Sequence, residues 1–134
     1  MFVTMTDSLS TRIHQIAQHA DDLDRAVAFY RDTLGLPLVA RFDPPGLAFF
    51  DLGNVRMLLE VGAPSALLYL EVPDIDAARA RLVGAGVEFV DEPHMIFRDA
   101  AGTFGPAGTE EWMTFFRDSE ANLVSLVERR ATAD

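Results

Sequence analysis

The sequence predicts an α+β domain built from two tandem βαβββ modules. Three observations carry that expectation: residues that return at a near-fixed spacing, short apolar runs bounded by turn residues, and two one-sided helices each opened by an aspartate. Asp22-Leu23-Asp24 returns as Asp74-Ile75-Asp76, 52 residues on, and Phe49-Phe50 returns as Phe115-Phe116, 66 on. Asn54, Leu58 and Glu60 match Asn122, Leu126 and Glu128 at a spacing of 68. A duplicated module returns its turn and core residues in this way. The spacing widens mainly between Gly86 and Trp112, so the second copy is expected to carry an extra loop of roughly fifteen residues.

Each copy opens with a strand, Ile13 to Ala20 and then Ala66 to Val72. Asp22 and Asp74 follow as helix caps, because a carboxylate there accepts free backbone N–H groups and opposes the positive end of the helix dipole. Leu23, Ala26, Val27, Tyr30 and Leu34 recur at helical spacing, as do Ile75, Ala78 and Leu82. Gly35 and Gly86 stop the helices, and Pro37 follows the first. Leu38 to Phe42, Gly46 to Leu52 and Val55 to Val61 complete the first copy as strands separated by Asp43-Pro44-Pro45-Gly46 and Gly53-Asn54. Their counterparts are Val87 to Val90, Glu111 to Arg117 and Leu123 to Glu128. The organisation is thus a flexible tail over 1–12 and a single domain over 13–129, then a short tail over 130–134. Module one covers about 13–62 and module two about 66–129, with the extra loop at about 91–111.

Composition narrows the function. At 134 residues and 49% hydrophobic residues, the chain can bury one core without staples. It has no cysteine, which removes disulfides, thiolate nucleophiles and cysteine-bound metals, and fits a cytoplasmic protein. Its apolar runs are broken by Arg56, Glu60 and Glu71, so no membrane span is expected. The first eleven residues lack the charged and apolar regions of a signal peptide. A net charge of −10 repels phosphate backbones and argues against nucleic acid as a partner.

The stretch from Gln15 to Leu36, with strand, Asp22-Leu23, helix, Phe29-Tyr30 and Leu34-Gly35-Leu36 in order, resembles the opening motif of the vicinal-oxygen-chelate superfamily. That superfamily includes glyoxalases, epimerases, ring-cleaving dioxygenases and bleomycin-resistance proteins. Val72 to Asp76 and Phe116 to Leu123 resemble it in the second copy. The resemblance implies that the modules pair into a curved eight-stranded mixed sheet around a central cavity, helices outside, commonly within a homodimer. It also implies four metal-ligand positions, one on the first and one on the last strand of each copy, which here fall on Gln15, Met57, Leu67 and Ser125. Gln15 is an acceptable ligand, whereas Leu67 has no donor atom, Met57 offers a soft thioether and Ser125 a weak hydroxyl.

No cofactor is therefore expected. A rearranged divalent-metal site using His14, His19, Glu60, Glu71 or Glu128 is the alternative. Strand alternation puts Ala66, Leu68, Leu70 and Val72 toward the helix and leaves Leu67, Tyr69 and Glu71 for the cavity; by the repeat, Gln15, Ala17 and His19 share that face. His19 and Glu71 are the candidate acid/base pair, since a carboxylate near an imidazole raises its pKa. Gln15, Met57, Leu67, Tyr69, Trp112 and Ser125 are the candidate pocket residues. His94 lies in the expected loop, which has the length of a lid; a lone loop histidine is more often simply solvated, and reaching over the pocket is the alternative. The expected function is metal-independent binding or sequestration of a small molecule in an apolar pocket. A lyase or isomerase of glyoxalase or methylmalonyl-CoA epimerase type, moving a proton next to a carbonyl, is the alternative.

Overall fold

Both caps form where the sequence puts them. Asp22, in extended backbone, accepts the Arg25 N–H at 3.1 Å, and Asp74 accepts the Ala77 N–H at 3.0 Å. The computed structural model describes residues 13–132, so both expected terminal tails fall wholly or partly outside the described residues. Helix α1 spans Leu23–Ala28 and runs into a π-helical turn, Phe29–Thr33, in which the Leu34 N–H reaches the Phe29 carbonyl. Helix α2 spans Ile75–Gly84.

The strands of module one are β1 (Gln15–His19), β2 (Leu38–Phe42), β3 (Leu47–Asp51) and β4 (Arg56–Glu60). Those of module two are β5 (Leu68–Glu71), β6 (His94–Asp99), β7 (Thr109–Arg117) and β8 (Leu123–Arg130). They form two four-stranded mixed sheets ordered β1-β4-β3-β2 and β5-β8-β7-β6, with the first and last strand of each module parallel. Each helix covers one face of its own sheet, α1 over β3 and β4 and α2 over β7 and β8. The fold is the expected pair of βαβββ modules. Among the described residues the eight strands stay in two sheets, and the faces away from the helices are left open.

The core follows the alternation of side chains along each strand. Ile16, Ala48, Phe50, Met57 and Leu59 face α1, while Leu68, Phe116, Val124 and Leu126 face α2. Tyr30 lies at the centre, fully buried.

The second copy departs from expectation between 87 and 109. Val87 to Val90 is not a full strand; Phe89 makes a single bridge to Phe116, the counterpart of Leu38 opposite Phe50. After Asp91-Glu92-Pro93 the chain resumes pairing as β6, so about half of the expected extra loop is strand. Asp91 holds the break in place by accepting the Phe115 N–H and the Thr114 hydroxyl, each at 2.8 Å.

The turn beyond β6 is also tied down. The Asp99 carboxylate accepts the N–H groups of Thr103, Phe104 and Gly105 at 2.7 to 3.1 Å and the Arg129 guanidinium at 2.8 Å. Those backbone donors, Phe104 first, outweigh burial, and with Arg129 they hold its pKa below the ordinary range. A Cβ at Gly105 would come within 2.9 Å of the Arg129 guanidinium, so a side chain there would push the guanidinium aside.

Candidate functional site

Strand register decides which predicted site residues share a surface. On the open face of the first sheet, β1 presents Gln15, Ala17 and His19, and their partners on β4 are Arg56, Leu58 and Glu60. Leu47, Phe49 and Asp51 continue that face on β3, with Phe42 beyond them on β2. Phe42 and Phe49 meet edge to face with ring centroids 6.0 Å apart, and the Arg56 guanidinium sits 5.0 Å from the Phe49 ring centroid. The open face of the second sheet carries Tyr69, Glu71, Met113, Phe115, Ser125, Val127 and Arg129. A shallow depression of about 240 Å³ lies there, walled by Tyr69, Glu71, Glu111, Met113, Val127 and Arg129.

Gln15, Tyr69 and Glu71 occupy the open faces that alternation predicts. Leu67, just before β5, is partly exposed. Met57 does not belong with them. It pairs with Ile16 and Phe50 on the helix side and is 0% exposed. The error lies in the repeat spacing. His19 sits opposite Glu60 and its counterpart Glu71 opposite Val127, so the last strands correspond at 67 residues, not 68. One residue of slip reverses the face. Ser125 therefore corresponds to Leu58, and Met57 to the buried Val124.

Trp112 is a second correction. It shares the helix side with Thr114 and Phe116, where Arg130 stacks over its ring at 4.3 Å and Glu110 accepts its indole N–H at 2.9 Å. Ser125 has open-face parity but is fully buried, with its hydroxyl near the carbonyls of Thr114 and Leu126. Tyr69 and Phe115 flank it and pack edge to face.

The expected His19 and Glu71 pair is not formed within the chain. The His19 ring has Nε2 at 2.7 Å from the Asp21 carboxylate and Nδ1 at 3.2 Å from the Ala63 carbonyl. The Asp21 hydrogen bond is the main cause of its raised pKa. His94 is not on a loop; it opens β6, with Nδ1 3.0 Å from the Glu92 carbonyl.

The four ligand positions implied by the fold do not fit a divalent cation. Gln15 spends its side-chain oxygen on Arg56 Nε at 2.8 Å, so a guanidinium already stands in the direction a metal would take. Leu67 has no donor, and the Met57 and Ser125 side chains are buried away from the open surface. The alternative residues do not assemble either. Glu128 turns to the helix side and accepts the Ile75 N–H at 2.8 Å, and among the described residues no three His, Asp or Glu side chains cluster.

The junctions between the modules hold features that the strand patterns do not announce. Where the β7–β8 turn meets module one, Tyr30 donates to Asp118 at 2.7 Å, and Asp118 also accepts the N–H groups of Glu120 and Asn122. Glu120 receives Arg25 at 2.7 and 3.0 Å and the Asp22 N–H at 2.8 Å. Burial alone would raise its carboxyl, but these donors bring its pKa down to about 2. Burial, reinforced by Asp118, pushes the Tyr30 phenol far above its ordinary value, so it remains a donor. At the other junction lies an open cleft of about 570 Å³. Its walls are mainly aliphatic, with Leu34, Leu52, Val72, Ala78 and Leu82 among them.

The family model described as Glyoxalase/Bleomycin resistance protein/Dioxygenase superfamily matches residues 12–126, nearly the whole chain. The chain belongs to this superfamily. Solved structures of the superfamily fold agree. TnmS3, an antibiotic binding protein from Streptomyces sp. CB03234, is 19% identical with a TM-score of 0.71, over 91% of this chain and 99% of that one. At that identity the likeness shows the fold alone. Lactoylglutathione lyase from Agrobacterium tumefaciens is 27% identical with a TM-score of 0.63, over 90% and 96%. A Glyoxalase/bleomycin resistance protein/dioxygenase superfamily member from Sphaerobacter thermophilus DSM 20745 is 26% identical with a TM-score of 0.67, over 88% and 97%. No curated protein matches the chain. Among the described residues, no helix of this superfamily member is long and apolar enough to cross a membrane.

Proposed function

We propose that the protein binds a small, aromatic-rich molecule without a metal, in a cavity that two copies of the chain build together. The first sheet of one copy and the second sheet of the other would supply its walls. The observation that carries this reading is the state of the open faces. Phe42 and Tyr69 are each more than half exposed among the described residues, while Gln15 holds a guanidinium instead of a metal. Contiguous exposed apolar side chains mark a binding surface. Closing two such faces together yields the concave, mostly apolar site with few polar points that small ligands favour. Glu60 and Asp51 outnumber Arg56 on one face, and Glu71 and Glu111 outnumber Arg129 on the other, which leaves the walls a small net negative charge that suits a ligand carrying a positive one. The antibiotic-binding relative TnmS3 supports the same class of function through its fold.

The test is a thermal-shift screen of cationic aromatic compounds followed by calorimetric titration, since a ligand that binds only the folded state raises the melting midpoint. Phe49→Ala and Tyr69→Ala should each weaken a hit about tenfold, or about 1.4 kcal/mol, and Met57→Leu should leave affinity unchanged. Equal affinity in both alanine variants would remove the open faces from the site. Stoichiometric nickel, zinc, cobalt or manganese in protein purified without chelator would sink the metal-free reading. A monomer in sedimentation at every concentration would sink the shared cavity.

A further inference from the structure

The turn between β6 and β7 is folded back over the open face of the second sheet. At its base Asp99 faces Thr109, in step with Phe97 opposite Glu111 and His94 opposite Met113. Glu111 in turn faces Arg129 on β8, so Phe97, Asp99, Glu111 and Arg129 share the open face. The turn closes onto these groups. The Gly102 and Gly108 N–H groups bind the Asp99 carbonyl at 3.2 and 2.8 Å, and the Gly105 backbone lies against the Arg129 guanidinium. One guanidinium nitrogen of Arg129 reaches both the Asp99 carboxylate and the Thr109 hydroxyl, and the other holds Glu111 at 3.1 Å. Together with the three N–H groups on the Asp99 carboxylate, these bonds fix the turn to the sheet beneath it.

Phe104 stands on this fixed turn and is 72% exposed, the most exposed large apolar side chain among the described residues. Its ring meets Phe97 edge to face, with centroids 5.8 Å apart. Because the Phe104 N–H is itself tied to Asp99 at 2.8 Å, the backbone cannot carry the ring away from water without losing that bond. An aromatic side chain held out in this way is preorganised for a partner, which lowers the ordering cost of binding.

The same face carries a second aromatic pair, Tyr69 and Phe115. Phe115, Met113 and Glu111 follow one another along the open face of β7, and Phe97 lies one strand beyond Glu111. Strand rise and strand spacing put Phe115 and Phe97 about 14 Å apart. Midway, Glu71 on β5 and Val127 on β8 stand level with Met113. The Glu111 carboxylate is held by Arg129, whereas Glu71 stands exposed.

We infer that the ligand is elongated, with an aromatic group at each end, about 14 Å apart, and a cationic centre between them. This rests on the ligand reading given above and adds a length and a second aromatic contact to it. The Tyr69 and Phe115 pair takes one end, the Phe97 and Phe104 pair takes the other, and Glu71 faces the cation. Edge and face contacts suit the two rings, and the carboxylate supplies the charge complement. Phe104 is then a specificity-determining residue, and Asp99 positions it.

Two probes test this: a secondary ammonium bearing two naphthylpropyl groups, and the same ammonium with one of those groups replaced by methyl. In calorimetric titration of the full-length protein the two-ended probe should bind about tenfold tighter than the one-ended probe. Phe104→Ser, a change at an exposed position, should keep the fold and the sedimentation behaviour of the parent and abolish that gain. Equal affinity of both probes for the parent, or an undiminished gain in Phe104→Ser, would overturn the inference. The ligand reading survives such a result if the one-ended probe still binds and Tyr69→Ala weakens it; binding of neither probe sinks both. A changed oligomeric state in Phe104→Ser would assign the ring to a contact between copies and likewise reject it as a ligand contact. Asp99→Asn should speed amide exchange at Thr103, Phe104 and Gly105 and reduce the gain with Phe104 still in place. Unchanged exchange there would remove the positioning role.

Discussion

The two junctions between the modules are related by the same internal repeat and are built on opposite principles. In one, a turn one residue longer than its counterpart, with Ala121 at φ 66°, carries Asp118, Glu120 and Asn122 into module one, where Tyr30 donates to Asp118, Arg25 to Glu120, and the His19 carbonyl accepts from Asn122. In the other, Asp51-Leu52-Gly53-Asn54-Val55 approaches Leu70 and Leu82 across a cleft. The polar junction fixes position, because each buried donor or acceptor has one geometry in which its partners are met. The apolar junction places no such demand on its neighbours. Duplication thus gave two copies of one contact, of which one locks the modules together and the other leaves space for something else.

The comparison breaks most severely at Glu120, whose side chain is fully buried beside the half-exposed Arg25. Glu120→Ala removes the buried partner of Arg25 and the acceptor of the Asp22 N–H, and should cost about 1–3 kcal/mol in chemical denaturation, because Arg25 is half exposed and can hydrate. The acid limb of stability carries the same signature. Because the folded pKa is about 2, below the ordinary carboxylate value, the contribution is complete above the unfolded pKa and is lost as pH falls toward the folded one. Glu120→Gln should therefore flatten the decline of stability below about pH 4.5. An unchanged acid limb would show that the contact does not set the junction.

The two junctions should also differ in tolerance of added volume. Ala26 and Ala78 are equivalent positions, but Ala26 is fully buried against the core and Ala78 lines the cleft. Ala26→Leu should cost about 1–3 kcal/mol through overpacking, while Ala78→Leu should stay within about 1 kcal/mol of the parent. Equal penalties would mean that the cleft is closed in solution.

Much of this architecture was legible in the sequence, for reasons that separate its successes from its failures. The Asp22 and Asp74 caps and the alternation along β1 and β5 are local, and each was read from a handful of neighbouring residues. Met57 failed because its assignment depended on register carried across the β3–β4 and β7–β8 turns. The Phe49 and Phe115 pairing fixes a spacing of 66, the single extra turn residue makes it 67, and matching Asn54 with Asn122 demanded one more. The extra loop failed for a related reason: a break at Asp91 to Pro93 hides a strand that resumes beyond it. The Tyr30 and Asp118 contact joins residues 88 apart, and no local pattern marks such a pair.

His19 gives the mildest test of the same comparison, because it lies at the edge of the filled junction and has no titratable counterpart except Glu71 at the open one. Its pKa is raised, first by the Asp21 hydrogen bond and against the effect of desolvation. A histidine whose folded pKa exceeds its unfolded value stabilises the protein fully below the unfolded pKa and loses that contribution as pH rises through the folded one. Stability should thus decline slightly from about pH 6.5 upward, and Asp21→Asn should remove most of that slope by deleting the carboxylate. The imidazole carbon signals of His19, followed by NMR against pH, supply the direct measurement: the midpoint should lie above that of an ordinary histidine and fall back in the Asp21 variant. A midpoint that does not move would assign the shift to the Ala63 carbonyl, and with it to the linker segment that closes this junction.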